Sequence, residues 1–523
     1  MIIKALLLLI FFGTMVGIGL YCRRQATDVN GFVLGGRSVG PWLTAFAYGT
    51  SYFSAVVFVG YAGQFGWKYG IAATWAGIGN ALLGSLLAWV VLGRRTRIMT
   101  QHLDSATMPE FFGKRFGSTA LKIAASIIIF IFLIPYTASL YNGLSRLFGM
   151  AFDIDYTVCV IVMAVLTGVY VIAGGYMATA INDFIQGIIM LFGISAVIVA
   201  VLHSQGGFMA ALESLAKIPN DTASGPVAGA PGVFASFFGP DPVNLLGVVI
   251  LTSLGTWGLP QMVQKFYAIK SEKSIDTGTI ISTLFAVVVA GGCYFLGGFG
   301  RLFSDVVGVT ENGTPVGGFD AVIPAMLSGL PDLLLAVVVI LVLSASMSTL
   351  SSLVLTSSST LTLDLLKGHV IKDMDEKRQV FIMRCLIVVF IFISVVLAII
   401  QYKSSVTFIA QLMGISWGAL AGAFLAPFLY GLYWKKTTKA ACWVSFLFST
   451  IVMVANIFVR SSFPTLLQSP INAGAFCMLA GLIIVPVVSL FTRKPDQSLV
   501  EDAFSCYERK VLVSQKEALG DTE

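Results

Sequence analysis

Long apolar runs alternate with short polar ones along almost the whole chain. Runs of about 20 residues recur up to residue 491, and at 1.5 Å per residue that length crosses a hydrocarbon core of ~30 Å. Thirteen spans are predicted, near 3–22, 40–66, 71–93, 119–148, 155–175, 180–202, 242–268, 274–302, 331–366, 376–401, 406–433, 437–459 and 467–491. A β-barrel would show short alternating segments instead. The expected fold class is an all-α polytopic membrane protein. Several spans carry internal Gly or Pro, which a bilayer tolerates where other groups take up the freed backbone.

The first span, MIIKALLLLIFFGTMVGIGLYCRR, has one Lys, no small-residue cleavage site and a basic pair after it. It reads as a span rather than a signal peptide. The 203–241 connection, with IPNDTASGPVAGAPG, reads as an irregular external loop. The 303–330 stretch is similar, with a surface helix at FDAVIPAML, and 492–523 reads as a polar tail of low order. Residues 1–491 form one transmembrane domain in this reading, with no separate soluble domain.

Composition agrees with the pattern. The chain is 57% hydrophobic and 11% charged, against about 25% charged in a soluble domain. Taking alternate connections, one side collects Arg23, Arg24, Arg37, Arg94, Arg95, Arg97, Lys114, Arg115, Lys265, Lys270, Lys273, Lys367, Lys372, Lys377, Arg378, Lys435, Lys436 and Lys439. The other has little beyond Lys68, Lys217, Arg301, Lys403 and Arg460. Basic loops stay cytoplasmic, which puts the N-terminus outside and the tail inside. The net charge of +6 reflects those loops and implies no nucleic acid.

Most enzyme chemistry lacks its signatures. The seven Cys are scattered, with no CxxC or Cys/His cluster, and the three His lie far apart. There is no GxxxxGK[ST] for a nucleotide pump and no HExxH. GGFG at 297–300 sits inside a span, where helix packing accounts for it. The acids near spans (Asp183, Asp332, Asp364) are not paired.

The chemistry that is present is a ladder of hydroxyls. Residues 344–364, SASMSTLSSLVLTSSSTLTLD, hold twelve Ser or Thr and follow the apolar run PDLLLAVVVILVL. Ser344, Ser348, Ser351, Ser352 and Thr356 share a helix face. Close helix packing and bonding back to the preceding turn account for most of them. A subset suits a hard alkali cation, which takes oxygen ligands. Such a site also needs carbonyls freed by a broken helix. Span 2 has Gly40, Pro41, Gly49, Gly60, Gly63 and Gly66 around GTSYFS, and span 7 has Gly255, Gly258 and Pro260. Two interrupted spans in corresponding positions point to a midplane transport site. They lie five spans apart, as two inverted halves over spans 2–6 and 7–11 would place them.

The segments FVLGGRSVGPWLTAFAYGTSYFS, AGGYMATAINDFIQG and SASMSTLSS resemble the sodium/solute symporter family, which includes the proline, pantothenate, sialic acid and sugar symporters. The likeness runs from about residue 30 to 435. It implies the LeuT-type 5+5 inverted-repeat fold, with the core at about 38–433. It implies a sodium site of the carbonyls of Thr50, Phe53 and Ala345 and the hydroxyls of Ser348 and Thr349. Arg37 and Asp183 match charged family positions, expected to serve gating or ion passage, with ordinary interfacial charges as the alternative.

Proline-transporting members carry Asp, Trp and Tyr where this chain has Tyr52, Thr252 and Thr256, which counts against proline itself. The expected solute pocket is neutral and aromatic: Tyr52, Ser54, Tyr136, Thr256, Trp257, Pro260 and Gln411. The implied function is Na+-coupled import of a small organic solute, amino acid or carboxylate-type, across the plasma membrane by alternating access. A sugar or other neutral solute is the alternative. A channel would want rings of like groups along a continuous path, and a sensor a larger output domain. Na+ is the expected coupling ion, with no organic cofactor and no obligate protein partner.

Overall fold

The computed structural model describes residues 2–152, 155–220, 231–367, 369–371, 373–404 and 409–508. Within them the chain is helical, with isolated bridges and no strand. Ten helices are long and apolar enough to cross a membrane, or eleven with one bent pair counted as a span. The principal elements are α1 (Ile2–Cys22), α2 (Pro41–Tyr52), α3 (Ala62–Tyr69), α4 (74–102), α5 (Met108–Phe116), α6 (Thr119–Phe152), α7 (Tyr156–Ser204), α8 (Pro242–Gly258) and α9 (Pro260–Ala268). They continue as α10 (Lys273–Gly297), α11 (Asp332–Leu366), α12 (Glu376–Ser404), α13 (Ile409–Tyr433), α14 (Lys439–Phe458), α15 (Pro470–Phe491) and α16 (Gln497–Ser505).

Two glycines reconcile these elements with thirteen spans. A straight helix of 49 residues, the length of α7, would run ~73 Å, more than twice the hydrocarbon thickness. It turns at Gly175, whose φ of 56° and ψ of −146° are open to glycine and costly for other residues. Gly70, at φ 61° and ψ −142°, makes the same turn between α3 and α4. Dividing the chain there, and counting 41–69 and 242–268 as one broken span each, gives thirteen segments close to the predicted bounds. This is a multi-pass membrane protein.

Its outer surface suits lipid. Phe192, Val199, Ile280, Leu284, Phe392 and Ile483 are more than 60% exposed, a surface that would drive aggregation in water and meets acyl chains in a bilayer. The interior is packed through glycine. A methyl group on Gly66 would lie 1.9 Å from the Gly297 carbonyl oxygen, and one on Gly297 would lie 2.2 Å from that of Ala62. Backbones of α3 and α10 therefore touch directly, as small residues allow in membranes.

Three expectations change. FDAVIPAML forms a short helix, but Phe319, Val322, Ile323, Met326 and Leu327 are buried. It tucks against α3, where Gly63 leaves room for the Phe319 carbonyl. The start of the tail is folded: α16 docks at the basic end, where Arg115 lies over Phe504 and Arg95 between Tyr433 and Tyr507. Residues 509–523 lie outside the described residues. Lys265, counted above with the basic loops, is 2% exposed inside the bundle, because all of α9 is buried and the chain first becomes exposed at Lys270.

Overpacking a backbone contact costs about 1–3 kcal/mol or more. Gly66→Ala and Gly297→Ala should therefore lower the melting temperature in detergent by several degrees. Gly17→Ala, with open space around it, should not. Equal melting of all three would refute the direct contact.

Candidate ion and solute site

The two broken spans are built differently. In 242–268 the break is a proline effect. Leu259 is extended, with φ −80° and ψ 122°, because Pro260 disfavours helical geometry in the residue before it. Pro260 then starts α9, where its missing N–H costs nothing, and the two halves meet at 45°. In 41–69 no proline acts. Phe53 is extended at φ −84° and ψ 117°. The chain restarts through Ser54, whose Oγ accepts the Val56 N–H at 3.2 Å, leading into a π-helical turn over Val56–Tyr61.

The carbonyls freed at that break meet the hydroxyl ladder of α11. Ser348 Oγ lies 3.1 Å from both the Thr50 and Ala345 carbonyl oxygens. Thr349 Oγ1 lies 3.1 Å from those of Thr50 and Ala345 and 3.3 Å from that of Phe53. Five oxygens thus make five contacts of hydrogen-bond length. Each hydroxyl carries one hydrogen, so two protons must serve all five. Sharing a proton between acceptors adds none. The five oxygens therefore have lone pairs to spare that face one another, and a cation between them would find oxygen ligands on several sides. An ion ~2.4 Å from each oxygen, as for a hard cation of calcium's size, holds neighbouring oxygens at about 3.4 Å. All five residues are buried.

The other hydroxyls of α11 are mostly spent locally. Ser351, Ser357, Ser358, Ser359, Thr360 and Thr362 bond to carbonyls three or four residues earlier. This is the packing reading of the ladder.

The expected solute residues separate into groups. Tyr136 is fully buried, edge-on to Trp417 with ring centroids 5.9 Å apart. Its hydroxyl neighbours Ser54 and Trp417, and Tyr61 is close by. Among the described residues the Tyr136 and Tyr61 hydroxyls and the Trp417 indole N–H have no hydrogen-bond partner. Thr256 and Trp257 are committed elsewhere. Thr256 Oγ1 donates to the Gly84 carbonyl at 2.9 Å, and the Trp257 indole to that of Leu83 at 2.9 Å. Pro260 makes the break, and Gln411 is half-buried near the start of α13. Tyr52 ends α2, and its side chain lies outside the described residues. Trp417 and Tyr61 were missed; their signal was an aromatic inside a Gly-rich span, which packing explains equally well.

Residues 32–448 match the model of the sodium:solute symporter family. The chain belongs to that family. It is 27% identical over 489 residues to the osmoregulated proline transporter OpuE of Bacillus subtilis, covering 93% of this chain and 94% of that one. It is 28% identical over 512 residues to a sodium/proline symporter of Staphylococcus aureus, with 94% and 93% covered. Among solved structures, a Na+-coupled sialic acid symporter in a substrate-bound outward-open state superposes with a TM-score of 0.74 at 15% identity, over 95% of this chain and 98% of that one. The nucleobase-cation symporter Mhp1, closed with bromovinylhydantoin, gives 0.51 at 12%, over 90% and 97%. At those identities both show the fold. The protein is a Na+-coupled symporter of a small organic solute and not an enzyme.

In the symporter, Arg37 and Asp183 lie apart. Arg37 follows two left-handed glycines and is itself left-handed, at φ 53°, a conformation that strains a residue with a side chain. Its guanidinium donates to the carbonyls of Ser105 at 2.7 Å, Tyr267 at 3.2 Å and Thr100 at 3.4 Å. Burial pulls its pKa down, and Tyr267, Asp104 and Glu110 push it back up. Just beyond, Val39 pairs with the chain at 268–270: its N–H donates to the Ala268 carbonyl and its carbonyl accepts from Lys270. The basic ends of both broken spans are thereby strapped together. Beside the strap opens a cavity of about 520 Å³ lined by Arg37, Asp104, Glu110, Lys122, Lys367 and Glu376. Asp183 is instead buried in the bundle, 3.9 Å from Lys265.

Arg37 works as a planar fork that lysine cannot copy. Arg37→Lys and Arg37→Ala are both expected to cut uptake about tenfold, corresponding to ~1.4 kcal/mol. Full activity of the lysine variant would show that charge alone suffices.

Proposed function

We propose that the symporter imports an amino-acid-class solute together with one Na+ held by the Thr50, Phe53 and Ala345 carbonyls and the Ser348 and Thr349 hydroxyls. The observation that carries the reading is the proton shortage: two hydroxyl hydrogens among five mutual oxygen contacts. Neutral oxygens solvate an alkali cation without fixing a negative charge in the bilayer. The partnerless Tyr61, Tyr136 and Trp417 groups beside Ser54 are the candidate solute contacts. They are neutral, and they suit a neutral or zwitterionic molecule. The names of the relatives favour an amino acid, whereas the differences at Tyr52, Thr252 and Thr256 leave proline as one member of the panel to test.

In this mechanism Na+ fixes α2 against α11 and favours the outward-open form. Solute then binds beside the breaks, the bundle rocks, and both leave at the basic end, which is cytoplasmic by its Lys/Arg content. The membrane is the plasma membrane. One Na+ falling through 100 mV supplies about 2.3 kcal/mol, and a tenfold Na+ gradient adds about 1.4 kcal/mol. Together these hold a neutral solute at roughly a few-hundred-fold accumulation, so a single ion suffices. The exit runs past Thr356, Ser359 and Thr360, where the gap is now pinched to about 10 Å³, toward Arg37 and its cavity.

The test is uptake into proteoliposomes across amino acids, carboxylates and sugars, with an imposed Na+ or H+ gradient. Na+-driven uptake of an amino acid is expected; uptake indifferent to Na+ refutes coupling, and a sugar would move the solute class. Ser348→Ala and Thr349→Ala should each raise the Na+ concentration for half-maximal uptake at least about tenfold, the scale seen when metal sites lose supporting groups. An unchanged Na+ requirement would remove these residues from the site.

A further inference from the structure

At the basic ends of α1 and α12, three arginines gather without an acid. Arg23 and Arg24 follow directly on α1 and are exposed. Arg384 lies about two turns into α12 and is half-buried. Its Nη2 donates to the Ala26 carbonyl at 3.3 Å, and its guanidinium lies 5.5 Å from the Phe32 ring centre. Its Nε is buried and has no hydrogen-bond partner among the described residues. The charged group that acts on Arg384 is Arg23, a second cation. Among the described residues none of the three arginines forms an ion pair, and Asp28, in the same connection, pairs with none of them.

The walls of this corner suit lipid. Phe381 and Val388 stand three residues before and four after Arg384, on its face of α12, and are 65% and 55% exposed. On α1, Leu20 and Tyr21 are exposed, and tyrosine marks the level where acyl chains give way to headgroups. Arg23 and Arg24 alone are ordinary interfacial charges that water screens. Arg384 is different. It starts two turns inside a span, and its head reaches the connection at Ala26. A charge held at that level needs a partner, and the protein offers it a neutral carbonyl and a ring face. Like charges beside it raise the need. The anion that a bilayer supplies at this level is phosphate, whose oxygens the planar arginine fork matches. Basic pockets between spans hold anionic headgroups on the same ground.

We propose that Arg384, with Arg23 and Arg24, binds the phosphate of an anionic phospholipid seated between the basic ends of α1 and α12, and that this lipid steadies the connection 26–39. That connection carries Arg37 and Val39 to the closure described above. Arg384 holds its start through the Ala26 carbonyl. Phe32, beside the guanidinium, packs against the Gly175 turn, and the next residue, Val33, accepts a hydrogen bond from Gln264 of α9 at 3.1 Å. A headgroup bound at one end of this segment therefore acts on the closure at the other. The site does not depend on which ion or solute is carried.

The test uses the full chain in a neutral detergent, with neither Na+ nor solute. Its melting temperature is followed against added phosphatidylglycerol, phosphatidylcholine, dioleoylglycerol and inorganic phosphate. Phosphatidylglycerol should raise it saturably. Phosphatidylcholine, whose phosphate is already paired with its own cation, should need at least about tenfold more for the same effect. Dioleoylglycerol lacks the phosphate and inorganic phosphate lacks the chains, and neither should protect. Equal protection by phosphatidylcholine or dioleoylglycerol overturns the anionic site. Equal protection by inorganic phosphate overturns the lipid as its source.

Arg384→Gln should raise the phosphatidylglycerol needed for half the effect at least about tenfold. If the loss of its bond to Ala26 prevents folding, the double variant Arg23→Gln with Arg24→Gln, both exposed, takes its place with the same expected loss. Arg94→Gln, exposed and paired with Glu272, should leave the requirement unchanged. A wild-type requirement in the first two variants overturns the proposal. So does an equal loss in Arg94→Gln, which would show that the lipid answers to net charge alone. Amide hydrogen exchange across 26–39 should slow with phosphatidylglycerol in wild type and not in Arg384→Gln. Exchange that the lipid leaves unmoved in wild type overturns the link to the closure.

Discussion

A backbone carbonyl in a bilayer has no water to bond, and an interrupted helix strands several. The two breaks in this symporter exist only because other groups accept that burden. At Phe53 the burden falls on Ser348 and Thr349, two hydroxyls on an otherwise continuous helix. At Leu259 proline removes one donor, and Gly258 lets the halves close against α13: a methyl group there would lie 2.7 Å from the Ala421 Cα. The rest of the architecture holds these two junctions opposite the right partners. The long helices supply the walls, Gly66 and Gly297 the close backbone approach, and Arg37 with the Val39 strap the closure at the basic end.

Much of this is legible in the sequence. Span length and apolarity are one-dimensional properties, so thirteen segments could be read from runs of residues. The glycine turns at 70 and 175 appeared in the sequence as boundaries between runs. The junction between the break at Phe53 and the hydroxyls of α11 was legible because both of its parts are local: a Gly-flanked GTSYFS and a dense run of hydroxyls. The solute residues were less so. Thr256 and Trp257 look like pocket residues from composition, but their hydrogen bonds go to carbonyls of α4, and orientation about a helix axis is not written in a local pattern. Tyr61 and Trp417 emerge only when three spans are brought together.

Lys265 departs from the sequence expectation for a different reason. The seventh predicted span runs to 268 and therefore contains it. Its place among the loop charges follows only from where lysines usually sit. A charge inside a predicted span calls for a partner at once. The partner, Asp183, lies 82 residues away in a motif already singled out for its acid. The pair needed only the question of which buried charge offsets which.

With the ion in the proposed cage, coupling follows from where the five oxygens sit. Thr50 and Phe53 belong to the end of the α2 half of a broken span, and Ala345, Ser348 and Thr349 to the unbroken α11. An ion shared between them is bound well only in one relative placement of the two, and that difference in affinity between states is what any coupling requires. Without the ion, the hydroxyl protons return to the carbonyls, so the empty cage is strained but not stranded. That limits how tightly the cage can hold a cation. A symporter needs such a limit, since an ion bound too firmly would not leave on the other side. The same hydroxyls that make the break tolerable therefore also make the site releasable.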